Sequence, residues 1–443
     1  MRDGKHEAGI EDVCNDRSEC ALKLILYSWQ ANNEQILADN LIKMGFDIVW
    51  FRKACKHYTR DMELAMEMIQ TIHREGAEAV VSFNYFPIVS MICHTCGIPY
   101  YAWVYDCPHF TLYAKQVGDP GNHIGIFDRE MVRRLEEEYG INTVYHAPLS
   151  VDAEYFGNVL ARASQTERDR YRCDISFVGS LYTDEHNYYD LLFSGDSMDD
   201  LIEQQCFSYE KDCLRQAVTS GQIHLKNLQK PMEEQGLMLG EDYFAKPEDI
   251  LLAAVLEKKV TVEERRLLLT EIATAAAGRR QQGSVESQEE YDTSVSMEKR
   301  GRTTTDRKYD FRLYTGSDTR SLSELHAHNC GRVDYHTQMP LVFAGSRINL
   351  NISLCSIHSG IPLRVLDIMA CGGFVLSNWQ PEIAECFEEG IEIVTFRSLE
   401  ECMDKVWYYL SHEEERRQIA EAGYRKVKEK FSYEAGVGRL FGV

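Results

Sequence analysis

The sequence predicts an α/β protein in two halves, each a parallel sheet with helices on both faces. Three observations carry that expectation. The length of 443 residues, 44% of them hydrophobic, suits two domains that each bury a core. From Ala21 to His146 short apolar runs alternate with amphipathic stretches closed by glycine, the pattern of parallel strands joined by crossover helices. The stretch Arg347 to Ser377, RINLNISLCSIHSGIPLRVLDIMACGGFVLS, reads as strand, polar loop, helix, glycine turn and strand.

Residues 1–20 are polar and aperiodic and read as a disordered tail. Residues 21–158 make a first, Rossmann-like domain. Its strands are expected at 21–27, 47–51, 79–83, 100–105, 123–127 and 142–146. Its helices are expected at 34–44, 61–74, 87–96 and 128–139. No G-x-G-x-x-G follows the first strand, which argues against a dinucleotide cofactor. A polar linker is expected over 159–172.

The second domain, 173–423, opens with the strand CDISFV and the pair Gly179-Ser180. A glycine there lets backbone approach a phosphate. Residues 186–277 read as a helical insertion, with Thr261 and Glu264 as a capping box. Residues 278–308, rich in Gly, Ser, Gln and charge, read as a mobile loop. The sheet resumes at 311–314. Residues 329–335, NCGRVDY, read as a turn and short strand, and 392–396 as a strand. Ser398 with Glu401, and Ser411 with Glu414, are expected to cap two helices. A closing segment runs over 424–443.

The central stretch carries chemistry. Pro362 stands near the first helical position, where its missing N–H costs nothing. Leu363, Val365, Leu366, Met369 and Ala370 are spaced for a buried face, and Gly372-Gly373 stop the helix. A helix that starts after a Gly-containing loop points free N–H groups and partial positive charge outward, toward a phosphate. Arg364 can neutralise a second phosphate charge. Asp367, one turn later, can accept from vicinal hydroxyls. Anion contact plus diol contact is what a nucleoside diphosphate requires. An ordinary buried βαβ unit is the alternative, but an Arg or Asp buried alone in an apolar helix would be costly.

Composition excludes some partners. A formal net charge of -22 argues against nucleic acid, although a local basic pocket can still hold a nucleotide. No apolar run has the length of a membrane span and no signal peptide is evident, so a cytoplasmic protein without a transmembrane segment is expected. Among fourteen cysteines, Cys93-His94-Thr95-Cys96 is a CxxC without a second pair, and reads as a helix end before Gly97. No Asp-x-Asp occurs, and no metal is expected.

The central stretch, with QPEIAECFEEGIEIVTF and YYLSHEEERRQIAEAGYRKV behind it and SFNYFPIVS and YYAWVYDCPHF in the first half, resembles the GT-B glycosyltransferases. It is most similar to their CgeB-like (spore-maturation-protein-like) branch. The resemblance implies two Rossmann-like domains facing a cleft, with a final helix returning to the first. It implies transfer of a sugar from a nucleotide-diphosphate sugar, the substrate, to an unidentified acceptor (glycan, protein or lipid-linked), without cofactor or metal. A nucleotide-sugar epimerase and a non-catalytic spore-coat or cell-envelope sugar-binding protein are the alternatives.

On this resemblance the donor is held by Gly179, Ser180, His358, Ser359, Gly360, Arg364 and Asp367. Asp334 and Tyr335 are placed at the nucleotide base; a core tyrosine is the other reading of Tyr335. Asp106 and His109, after the strand at 100–105, are the candidate bases, and Asp106 could instead cap a turn before Pro108. Asn84 and Tyr85 would line the acceptor cleft. One departure stands out. Where many retaining members carry Glu-x7-Glu, this chain has Ser359 and Asp367, and no basic pair follows Gly179. Retention or inversion stays open.

Overall fold

Leu24, Ile25, Leu26 and Tyr27 are fully buried, so both faces of β1 (Lys23–Ser28) are covered, as in parallel sheets packed between helices. The same holds for β3 (Ala79–Phe83) and β4 (Tyr100–Val104). With β2 (Asp47–Arg52), β5 (Asn122–Ile126) and β6 (Val144–His146) they form a parallel sheet in the order β2-β1-β3-β4-β5-β6. This computed structural model describes residues 21–183, 189, 202–207, 212–220, 230, 232–234, 239–278 and 309–442. The expected tail, much of the insertion and nearly all of the expected loop lie outside the described residues.

Local chemistry sets the helix ends. The helix Met62–Glu75 starts at Asp61, whose side chain accepts from the Leu64 N–H, and stops at left-handed Gly76. Pro87–Cys96 ends at Gly97, also left-handed, so the CxxC lies on its last turn.

The second sheet runs β11-β10-β9-β7-β8, all parallel, from β7 (Cys173–Val178), β8 (Phe311–Tyr314), β9 (Ser346–Asn351), β10 (Val375–Asn378) and β11 (Val394–Phe396). The helix Leu363–Ala370 buries Val365, Leu366, Ile368 and Met369 between the sheet and the helix Glu413–Lys430.

Several local expectations are corrected. The linker stretch holds the end of the helix Ala153–Arg162 and the helix Gln165–Arg170, the second with a Ser164–Glu167 capping box. Thr261 is no cap, because a π-helical turn, Leu252–Leu256, runs straight into the helix Glu257–Ala276. Its hydroxyl instead bonds back to the Glu257 carbonyl and accepts from the Cys355 N–H, both at 2.9 Å. Ser398 caps as expected, but Ser411 closes its own helix and bonds back to Trp407, and the next helix starts after His412. Residues 329–335 form no strand; Asn329 makes only an isolated bridge to Leu313.

The last helix, Tyr433–Phe441, lies on the first sheet. Tyr433 meets Trp103 edge-on at 6.0 Å and Phe441 packs on Tyr101 at 4.4 Å. Gly436 makes that approach possible: a Cβ there would stand 2.1 Å from Ser150 Oγ and 2.3 Å from the Trp103 ring. The chain thus crosses between the halves twice. The two crossings touch where the Val151 N–H donates to the Phe431 carbonyl at 2.9 Å. No helix among the described residues is long and apolar enough to cross a membrane.

Candidate active site

The order of the second sheet reverses between β7 and β9. Loops leaving the C-terminal ends of those strands part there, which makes the crevice where open α/β sheets bind ligands. The first half faces this end. The Cys107 thiol, after β4, donates to the Ser356 carbonyl at 2.9 Å, and Asp128, after β5, reaches the loop at 358–360.

Arg265 spans the crevice from the insertion. Its guanidinium donates to the Ser180 carbonyl after β7 and to the Ile352 carbonyl after β9, the latter at 2.6 Å. It lies over the rings of Phe177 and Tyr182 at 5.5 and 5.1 Å. The residue is 7% exposed, and its Nε has no hydrogen-bond partner among the described residues. Burial lowers its pKa, and the field of Arg364 acts the same way.

Arg364 and Asp367 lie one turn apart on Leu363–Ala370. Arg364 Nη1 donates to Asp367 Oδ2 at 3.3 Å, and the Tyr335 hydroxyl donates to Asp367 Oδ1 at 2.8 Å. Asp367 is 1% exposed. Burial raises its pKa to about 6, while Arg364 and Tyr335 pull it down. Buried Asn33, from the loop after β1, comes up to the Tyr335 hydroxyl across the cleft. The structure thus brings together three of the expected donor residues: Tyr335, Arg364 and Asp367.

Other expected donor residues have partners within the protein. The Gly179 N–H is used by the Tyr314 carbonyl at 3.1 Å. Ser180 is at the crevice, but its hydroxyl is 3.0 Å from Ser317 Oγ and accepts from the Tyr182 N–H. The amides of His358 and Ser359 donate to Asp128 Oδ2 at 2.6 and 3.3 Å, so a protein carboxylate holds them. Gly360 is pressed on Phe127, where a Cβ would stand 2.8 Å from the ring and 2.9 Å from the carbonyl oxygen. Asp334 stays local, accepting from the N–H groups of His336 and Thr337 and from the Thr337 hydroxyl, which lowers its pKa.

In the first half, Asn84 is left-handed at φ 61. Its Oδ1 accepts from the N–H groups of Tyr105 and Asp106, and its Nδ2 donates to the Asp106 carboxylate at 2.6 Å. Asp106 is exposed and held in one pose. His109 is tied inward: its Nε2 lies within bonding distance of the Tyr85 backbone and the Thr111 hydroxyl, and burial lowers its pKa. Tyr85 is 0% exposed and packs near Tyr100 in the core, so it does not line the cleft.

Four residues escaped the sequence reading: Arg265, Asp128, Glu257 and Glu382. Glu257, 2% exposed, holds His358 Nε2 at 2.7 Å. Glu382 accepts from Ser359 Oγ at 2.7 Å and from the Arg129 N–H at 3.0 Å. Arg265 alone had a legible signal. It stands at core-face spacing with Thr261, Leu268, Leu269 and Ile272, so its charge had to be buried.

Two cavities flank this region differently. One of about 420 Å³ opens at the crevice between Cys107, Tyr182 and Ser356. A larger one, about 1180 Å³, lies at the far end, where β7 and β9 begin at Cys173 and Ser346. Strand C-terminal ends, not size, decide between them.

Residues 299–441 match a family model described as glycosyl transferase-like. No curated protein matches the chain. Among solved structures, a glycosyltransferase from Rickettsia africae aligns over 95% of this chain and 97% of its own, with a TM-score of 0.52 at 10% identity. HepE from Anabaena in complex with UDP-glucose aligns over 94% and 98%, with a TM-score of 0.49 at 8% identity. The two facing parallel sheets are a GT-B fold, and residues 299–441, in the second half, are similar to the glycosyl transferase-like family.

Proposed function

We propose that the protein transfers a sugar from a nucleoside-diphosphate sugar to a hydroxyl acceptor, and that it belongs to the CgeB-like branch and works in the cytoplasm. The observation that carries this reading is the buried Asp367 carboxylate, held by Arg364 and the Tyr335 hydroxyl, in the same half whose switch point Arg265 spans. Asp367 accepts from the ribose hydroxyls in the place where Tyr335 now donates. Arg364 and Arg265 face the diphosphate, where they take the charge-neutralising role that a divalent cation would have, so no metal is required. The acceptor oxygen bonds to the sugar's anomeric carbon. The bond from that carbon to the diphosphate oxygen breaks, and the nucleoside diphosphate leaves with the electron pair. The hydroxyl proton passes to Asp106, which Asn84 steadies in the open cleft.

The test is a melting-temperature screen with nucleoside diphosphates and their sugars on wild type and Arg364→Ala. A ligand at 100-fold excess over its dissociation constant adds about 2.7 kcal/mol of stability. One nucleotide should shift the wild type and not the variant. No shift with any nucleotide overturns the reading, and conversion of donor sugar without an acceptor would point to an epimerase.

A further inference from the structure

The cavity at the crevice has walls unlike those a saccharide needs. Its volume, about 420 Å³, falls in the range of small-molecule sites, about 300–1,000 Å³. Four elements enclose it, the loop after β7 giving Tyr182. The loop after β4 gives Pro108 and Phe110, the loop after β9 gives Leu354, and the insertion gives Ile250, Ala253 and Ala254. Polar groups stand apart from these: Ser356 on one wall, and Lys258, whose ammonium lies 5.4 Å over the Tyr182 ring. A sugar placed here would bury hydroxyls against carbon, at about 1–3 kcal/mol for each left unbonded. An alkyl chain or aromatic ring gains about 25 cal/mol for each Å² removed from water.

We propose that this cavity binds the apolar part of the acceptor, an alkyl or aryl group whose hydroxyl receives the sugar. The inference rests on the glycosyltransferase reading and names its acceptor class. Position supports it. The loop that lines the cavity with Cys107, Pro108 and Phe110 carries Asp106 just before them; Asp106 does not itself line the cavity, so the acceptor hydroxyl projects beyond the apolar group's seat to meet the base. The insertion then has a second task besides carrying Arg265, because its Ile250, Ala253 and Ala254 form the wall that neither sheet provides.

The test uses the full chain and two probes, 1-decanol and 2-naphthol, with binding followed by calorimetry and melting temperature. Ala253→Phe fills the cavity, and Leu354→Asn makes one wall polar without adding bulk. At least one probe should bind wild type, and both variants should weaken it ten-fold or more while leaving the shift by nucleoside diphosphate intact. Decanol binding indicates a lipid-like acceptor and naphthol binding a phenolic one; either supports the proposal. Failure of both probes, or binding unchanged in both variants, overturns it. Because nucleotide binding is read separately, loss of that shift in wild type would defeat the transferase reading and not the cavity's chemistry.

Discussion

Ser359 holds its hydroxyl between two carboxylates, 2.9 Å from Asp128 Oδ1 and 2.7 Å from Glu382 Oε1. Asp128 belongs to the other half of the molecule, so the acidity missing from the loop at 359 arrives across the cleft. The same Asp128 caps the helix Arg129–Tyr139 and takes the amides of His358 and Ser359. Asp128→Ala should lower stability by at least about 2 kcal/mol, from one lost cap and buried amides left unpaired. Urea unfolding measures this, and a change under about 0.5 kcal/mol, the scale of ordinary surface substitutions, would show the contact to be incidental.

Arg265→Ala should weaken donor nucleotide binding about ten-fold or more, the scale of a charge-assisted hydrogen bond. Arg265→Lys should not restore it, since an ammonium lacks the planar fork whose two Nη groups reach the Ser180 and Ile352 carbonyls separately. Titration calorimetry decides. Equal affinity in wild type and Ala variant would make the residue a purely structural tie.

Asp367 should impose a pH dependence of definite sign. Its folded pKa, about 6, lies above its ordinary value of 3.8. The folded state therefore holds the proton more tightly, and this contribution to stability is present below about pH 4 and lost as pH rises to 6. The loss is about 3 kcal/mol at most. Relative to Asp367→Asn, the wild type should lose stability over that window. Nucleotide binding should run oppositely, weakening below pH 6 as the carboxylate protonates. A flat stability difference from pH 4 to 7 would contradict the assignment.

Gly436→Ala should destabilise the protein by about 1–3 kcal/mol or more through overpacking, because the new methyl meets Ser150 and Trp103. The first half should register it most. A melting temperature within one degree of wild type would mean that the last helix can shift without cost.

How much was legible follows from the range of each interaction. Buried strands announced themselves as apolar runs, and Gly76, Gly97 and Gly140 stopped their helices in the left-handed conformation. Arg364 and Asp367 were visible because charge stood on a helix face that had to be buried. Thr261 misled because its capping pattern is local, while the π-helical turn before it continues the helix. The loop at 358–360 looked like a phosphate cradle because its free amides could be inferred and their partner could not. Asp128 is 231 residues away from Ser359 in the chain, and only the packed fold brings it there. Tyr85 shows the same limit: its place after β3 was right, and its direction, into the core, depended on Tyr100 and the helix Pro87–Cys96.

The contact between the two crossings, Val151 to Phe431, has a mechanical meaning. Two segments of chain pinned to each other form one seam where separate linkers would leave two. Any movement that parts the halves there must break this bond as well as bend both segments.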